Sequence, residues 1–377
     1  MNLNLTDEQK DLQKLVREFT LKEITPVAKK YDRDGEFPWD LFNKVADIGL
    51  HCMPAPEEYG GPGLDTLTCA LLAEELAKGD VGFATTVSAN GLAAYPVLLA
   101  GNDSQKKTFF DILMQGKLAA FCLTEPNAGS DAGAIATSAR REGEEYVLNG
   151  TKCFITNGGV ASVYTVFATV DKGKGLKGLT AFLVERDRPG LSIGQEEDKM
   201  GIRSSNTTEV VFQDVRIPVA NLLGKEGDGF KIAMQTLDIS RPIVGALGVG
   251  LGQAALDHAV KYAKERVQFG KPIAAFQAIQ LMLADMAIAV ESARWLVYRA
   301  AFLKDAGLPF TLEAAMAKTL GGDVAMKVST DAVQIFGGYG FSREYPVEKL
   351  MRDAKILQLF EGTNQIQRLV IAGQLLK

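Results

Sequence analysis

Tyr146-Val147-Leu148-Asn149-Gly150-Thr151-Lys152-Cys153-Phe154-Ile155 interrupts a chain that otherwise reads as helix. Asn-Gly between apolar-rich flanks is a strong hairpin signal, because both residues tolerate the positive φ of a tight turn. Tyr164 to Val170, Leu179 to Val184 and Val210 to Ile217 are further strand candidates, separated in part by a Gly/Lys loop over Asp171 to Gly178. The middle third is therefore expected to be a small β-sandwich or barrel.

Outward from this region the period changes to that of a helix. Toward the N-terminus, Thr6 and Gln9 form a capping box ahead of Leu12, Leu15, Val16 and Phe19 on one face. Pro38 can start a second helix and Gly49 end it. After a Gly/Pro loop at Glu57 to Gly63, helical patterns run to about Gly116. Toward the C-terminus the helical period returns near Asp228. Ile279, Met282, Met286, Ala289 and Ala293 predict a long helix packed at a shallow angle, and Gly337-Gly338 a helix stop. The fold class read from this order is α+β. It comprises an N-terminal α-helical domain over 1–120, a middle β domain over 121–227 and a C-terminal four-helix-bundle-like domain over 228–377.

Composition narrows the function. A net charge of -5 over 377 residues offers no general attraction for nucleic acid or anionic membrane. The four cysteines, Cys52, Cys69, Cys122 and Cys153, are scattered and read as buried thiols in a reducing compartment. With only His51 and His258 as histidines, a zinc site and a Ser-His-Asp triad are both disfavoured, and no metal site is expected. Unbroken apolar runs fall short of the roughly 18–20 residues that span a bilayer, and the acidic start MNLNLTDEQKDLQKLVREF is not a secretory signal. The expectation is a cytoplasmic protein, or a mitochondrial matrix one if eukaryotic, with no membrane span.

Five stretches can carry chemistry. LTEPNAGSD (123–131) can let a backbone approach a flat polar ligand, or be an ordinary turn. FITNGG (154–159) can stack on and hydrogen-bond a ring system, or pack a strand. RVQFG (266–270) can hold a diphosphate, or be a solvated helix end. QIFGGYG (334–340) offers glycine N–H groups to a phosphate, but lacks the GxGxxG and βαβ context of a Rossmann site. In LFEGTNQIQR (359–368), Glu361 lies among apolar residues that would raise its pKa and make it a better base. The alternative for Glu361 is a helix N-terminal acid answering the dipole.

Taken together, TEPNAGSD, FITNGG, ERVQFGK, QIFGGYG, EYPVEKLMRDAK and EGTNQIQR occur in one order along one α-β-α chain. That order resembles the acyl-CoA dehydrogenase family, closest to its short- and medium-chain branch, from Leu5 to the C-terminus. The resemblance implies FAD, an acyl-CoA substrate, electron transfer flavoprotein as electron acceptor, and a homotetramer built as a dimer of dimers. It implies FAD contacts from Phe121, Leu123, Thr124, Gly129, Ser130, Phe154, Thr156, Gln334, Gly337, Gly338, Thr363 and Gln365. Arg266, Gln268, Phe269 and Gln277 would reach FAD in part from a neighbouring subunit. Ser130, Asp238, Arg241, Phe360 and Gly362 would lie along the acyl-CoA. Glu361 would take the α-proton while the β-hydrogen leaves as hydride to flavin N5, giving a trans-2-enoyl-CoA.

Two departures shape the expectation. Many relatives have tyrosine before the catalytic glutamate, whereas this chain has Phe360, which implies a more apolar pocket. Isovaleryl and long-chain members carry the base just before the residue matching Arg241; that position is Ser240 here, which favours Glu361. No arginine occurs over Gly82 to Ala89, where glutaryl-CoA enzymes carry one, and this argues against a dicarboxylate substrate. A branched or alicyclic acyl-CoA, the enoyl-CoA reductase direction and a silent flavin-binding scaffold are the alternatives.

Overall fold

A computed structural model describes residues 5–377; the first four residues of the predicted N-terminal domain, and of the stretch read as no secretory signal, lie outside them. The helices before the sheet are α1 (Asp7–Phe19), α2 (Ala28–Asp34), α3 (Trp39–Asp47), α4 (Thr66–Gly79), α5 (Val81–Ala100) and α6 (Asp103–Leu113). The capping box at Thr6 and Gln9 is formed, and Pro38 caps α3. The helix starting at Pro38 is thus the third, because a π-helical turn (Thr20–Ile24) and α2 precede it.

The strands are β1 (Ala119–Cys122), β2 (Ser138–Glu142), β3 (Glu145–Thr156), β4 (Val163–Thr169), β5 (Leu179–Glu185), β6 (Leu191–Glu196), β7 (Thr207–Pro218) and β8 (Leu222–Leu223). They form one mixed sheet in the order β6-β7-β3-β2-β4-β5-β8, with β1 parallel to β4. Side chains alternate between two cores. Tyr164 and Val166 of β4 and Phe182 and Val184 of β5 meet Tyr146, Phe212 and Ile217 in a core made of strand residues. Val163, Phe167, Ala181 and Leu183 face the other way, onto a core shared with α5, α6 and the start of the next helix. A sheet that encloses its own core on one face and takes helices on the other buries both faces of its central strands.

The expected Asn149-Gly150 hairpin is not formed. β3 runs straight through it, and the turn lies at Gly143-Glu144, between β2 and β3. Asn149-Gly150 instead marks a register shift against β7. The Asn149 amide donates to Asp214 Oδ1, and Asn149 Oδ1 accepts from the Asp214 N–H. A Cβ at position 150 would lie 2.4 Å from Thr137 Oγ1, so glycine is demanded by close approach rather than by a turn.

The second helical set is α7 (Gly229–Glu265), α8 (Gln277–Asp305), α9 (Thr311–Phe336), α10 (Val347–Ala354) and α11 (Asn364–Leu375). A two-residue ribbon, β9 (Val267–Gln268) with β10 (Lys271–Pro272), separates α7 from α8. Helices from both ends of the sequence share one apolar core, in which Leu72, Leu76 and Phe83 pack with Leu247, Leu251, Val290 and Val328. Two helices, Val81–Ala100 and Gly229–Glu265, are long and apolar enough to span a membrane. Counting unbroken apolar runs had missed them. Their apolar windows are 72% and 78% buried inside the protein, so the core accounts for their composition.

A buried ionic cluster ties these layers together. Lys349 Nζ lies 2.6 Å from Asp353 and 3.0 Å from Asp80, all three within the interior. Asp80 also caps α5 through the Phe83 N–H and accepts from Ser204 Oγ, while Asp353 accepts from the Ile202 N–H. Burial opposes the Lys349 charge, but Asp353 and Asp80 outweigh it and hold the lysine charged, its pKa raised. Lys349→Met leaves two buried carboxylates without their cation. It is expected to lower stability by about 3–5 kcal/mol in urea unfolding; an unchanged midpoint would remove the cluster from the energetics of assembly.

Candidate active site

A cavity of about 920 Å³ opens between the sheet, α5, α7 and the segment before α11. Each wall is built by a local irregularity. On the sheet side, β1 ends at Cys122, and the next turn is held from below by Lys152. Its fully buried Nζ donates to the Leu123 carbonyl at 3.0 Å and to Glu125 Oε1 at 2.7 Å. Glu125 also accepts from the N–H groups of Ala136 and Thr137, so the start of the 123–131 loop is tied both to β3 and to the backbone just before β2. On β3 a second register shift falls between Lys152 and Ile155. Phe154 sits in this bulge at φ 55° and is 63% exposed, turned out of the strand core onto the cavity.

On the helical side, α7 contains Pro242, which has no N–H for the helix ladder. Ser240 and Arg241 lie just before it and line the cavity. Arg241 is buried, paired with Asp238, and its Nε has no partner. Asp238 accepts from Thr311 Oγ1 at 2.7 Å and is not itself on the cavity wall.

Glu361 closes the cavity from the segment before α11. It adopts φ 54°, followed by Gly362 at φ 89°. A left-handed backbone at a non-glycine residue is held only when its surroundings over-determine it. Here Gln367 Nε2 donates to the carbonyls of Glu361 (3.1 Å) and Gly362 (3.3 Å). Lys318 on α9, fully buried, donates to the Gly362 carbonyl at 2.8 Å and to Asn364 Oδ1 at 2.9 Å. α11 begins only at Asn364, with Thr363 as its cap, so Glu361 is not a first-turn acid answering the dipole.

The Glu361 carboxylate accepts from Ser240 Oγ. Burial pushes its pKa up, against the opposing pull of the Ser240 hydroxyl, Arg241 and Lys318. The Lys318 ammonium is itself pushed down to about 8 by burial, with Glu361 opposing that shift. The arrangement is a carboxylate poised to take a proton, sharing a cavity with apolar residues such as Phe360, Ile243 and Leu247. Sequence reading had treated Ser240 only as a residue unfit to be a base; its place beside Glu361 depends on tertiary packing of α7 and carries no sequence signal.

The structure divides the residues singled out from sequence. Phe121, Leu123, Thr124, Gly129, Ser130, Phe154, Thr156, Arg241, Phe360, Glu361, Gly362 and Thr363 share this cavity. Arg266, Gln268, Phe269, Gln277, Gln334, Gly337, Gly338 and Gln365 do not line it. Of these, Arg266 lies over the Tyr339 ring at 5.2 Å, and Phe269, at the tip of the β9–β10 ribbon, is 92% exposed.

Comparison with known proteins agrees with this architecture. Residues 6–117, 120–215 and 227–376 match the N-terminal, middle and C-terminal domains of acyl-CoA dehydrogenase. The short-chain-specific acyl-CoA dehydrogenase of Megasphaera elsdenii is 51% identical, each chain covered in full. The solved butyryl-CoA dehydrogenase of the same organism superposes with a TM-score of 0.98 at 50% identity, again over all of both chains. A chain in the structure of the electron transferring flavoprotein of Acidaminococcus fermentans matches with a TM-score of 0.98 at 48% identity over all of both chains.

Ser240→Ala removes a hydrogen bond that favours the ionised carboxylate. The Glu361 pKa is expected to rise, since the ionised form loses a donor. An infrared pH titration of the carboxyl band, assigned by its loss in Glu361→Gln, checks this. A midpoint equal to that of the parent protein would show that Ser240 does not bond the ionised form.

Proposed function

The chain belongs to the acyl-CoA dehydrogenase family, and from that premise we propose that it oxidises a short-chain acyl-CoA to the trans-2-enoyl-CoA with FAD, using Glu361 as base. The observation that carries the reading is the placement of one raised-pKa carboxylate in the same cavity as the hydroxyl-bearing residues Thr124, Ser130 and Thr156 and the exposed Phe154 ring.

The residues fit FAD. Hydroxyls of Thr124, Ser130 and Thr156 line the cavity, and none donates to or accepts from a protein group among the described residues. A Cβ at Gly129 would meet nothing within 4 Å, leaving room for close approach, and Phe154 offers an exposed ring. When bound, FAD supplies the two-electron acceptor that takes the β-hydrogen as hydride.

The protein's own part is the proton. An α C–H beside a thioester is weakly acidic, and it becomes accessible when hydrogen bonds stabilise negative charge growing on the thioester oxygen. The backbone N–H of Glu361 has no protein acceptor among the described residues, and the left-handed bend keeps it free for that oxygen. The Glu361 carboxylate, desolvated and therefore more basic, takes the α-proton. Ser240 and Arg241 hold its charge in place beforehand. Asp238, which is not on the wall, acts by holding Arg241. Phe360 contributes an apolar surface beside the acyl chain.

A homo-oligomer belongs to the same proposal. On α8, Leu281, Ile288 and Trp295 form an exposed stripe at seven-residue spacing. The second group around Arg266 and Phe269 lies away from this chain's own cavity, which suits a contribution to a neighbour's FAD. Electron transfer flavoprotein as acceptor is supported by the likeness to the Acidaminococcus fermentans chain.

Anaerobic titration of the purified protein with a panel of acyl-CoAs tests the reading: a short-chain member is expected to bleach the flavin band. Glu361→Gln is expected to keep that band and lose roughly 10³-fold or more in bleaching rate, at the upper end of general-base effects. Retained activity would remove Glu361 from the role of base, and protein purified without flavin would remove the reading as a whole.

A further inference from the structure

One face of α5 forms part of the cavity wall. Ser88, Gly91, Leu92 and Tyr95 recur at three- and four-residue spacing and all line it. Tyr95 is only 8% exposed, yet its hydroxyl makes no hydrogen bond to any described residue. That hydroxyl is also absent from the fully enclosed polar atoms without a partner, so it keeps access to the cavity. The hydroxyl lies near Gly91, where a Cβ, were one present, would stand 3.9 Å from Tyr95 Oη. A second hydroxyl on the same face, Ser88 Oγ, is enclosed and likewise has no partner. Thr85, one turn earlier, shows the ordinary solution, donating to the Val81 carbonyl at 2.7 Å.

A phenol that opens on a cavity and has no protein acceptor is left to bond whatever enters, and a ligand that displaces water there has to replace its hydrogen bond. Tyrosine at such places normally finds an acceptor. The α7 side chains Ile243, Val244 and Leu247, which line the same cavity, offer none. The expectation from sequence was that Phe360, in place of tyrosine, leaves an apolar pocket. Tyr95 brings a phenolic hydroxyl back to the cavity from a different helix.

We propose that Tyr95 is a specificity-determining residue whose hydroxyl donates to an oxygen carried by the acyl group beyond the β-carbon, so that the preferred substrates are neutral acyl-CoAs with a keto oxygen along the chain. The inference rests on the acyl-CoA reading above. The hydroxyl does not touch the reacting carbons, and an oxygen at C5 or beyond leaves them unactivated, so the chemistry at Glu361 is common to such oxygenated chains and to plain ones. Sites built to hydrogen-bond a substrate oxygen discriminate strongly against the hydrocarbon analogue, because the buried donor is then left unpaired.

The test uses the flavin-loaded enzyme and matched pairs. 5-Oxohexanoyl-CoA is compared with 5-methylhexanoyl-CoA, and 6-oxoheptanoyl-CoA with 6-methylheptanoyl-CoA, in the parent enzyme and in Tyr95→Phe. In the parent, at least one keto member is expected to exceed its methyl partner in kcat/KM by about tenfold. In Tyr95→Phe that preference is expected to fall to within about twofold. Equal kcat/KM within both pairs in the parent enzyme overturns the proposal, even if Tyr95→Phe proves unstable. A preference that survives in Tyr95→Phe overturns it as well. Butanoyl-CoA serves as the control. If it is oxidised while the keto compounds gain nothing, only Tyr95 is misassigned. If neither it nor any member of the pairs is oxidised, the acyl-CoA reading fails together with the inference.

Discussion

A carboxylate on a left-handed bend is the constraint on which the site depends. Glu361 pays for its φ of 54° through the bonds that Gln367 and Lys318 make to the two carbonyls of the Glu361-Gly362 pair. Gly362 has to be glycine, since a Cβ there would lie 2.4 Å from Gln367 Nε2 at a positive φ. Lys318 in turn is usable only because α9 packs on α7 and α11, which removes it from water while leaving its donors matched. The bend leaves the Glu361 N–H without a protein acceptor among the described residues while its carboxylate lines the cavity, whereas an uninterrupted helix through this segment would bond that N–H within itself.

The sheet answers that constraint from the other side with two register shifts in a single strand. Both lie on β3, and they have opposite consequences. At Gly150 the strand is pressed against Thr137, and side-chain bonds between Asn149 and Asp214 absorb the irregularity. Near Phe154 the bulge turns an aromatic ring out of the strand core. Beneath it, Lys152 and Glu125 lock the loop that leaves β1, so that an open surface rests on buried, hydrogen-bonded support.

These walls stay in register because the interior is continuous. Helices from the two ends of the sequence share one apolar core rather than two. The Lys349 cluster then joins the α4–α5 junction, the connection into β7 and α10. Charges this deep are not efficient as stabilisers compared with apolar packing. They do demand a fixed geometry, and a cavity bounded by all three layers inherits it.

The alternation of helical and strand periods, the capping box at Thr6, the long helices from Asp228 and the prominence of Glu361 were legible in the sequence, because each depends on spacing along one segment. The Asn149-Gly150 pair was misread, since Asn-Gly is equally suited to a turn and to a bulge, and only the partner strand with Asp214 and Thr137 distinguishes them. Ser240, Lys318 and Tyr95 carried no local signal at all: a serine in a helix, a lysine in a helix and a tyrosine before Pro96 are ordinary in sequence. What the sequence alone determined was the order of elements and the identity of the chemically capable groups. The tertiary structure decided which of those groups lose water and meet, because burial and pairing belong to segments more than a hundred residues apart, such as Ser240 and Glu361, and no local pattern encodes them.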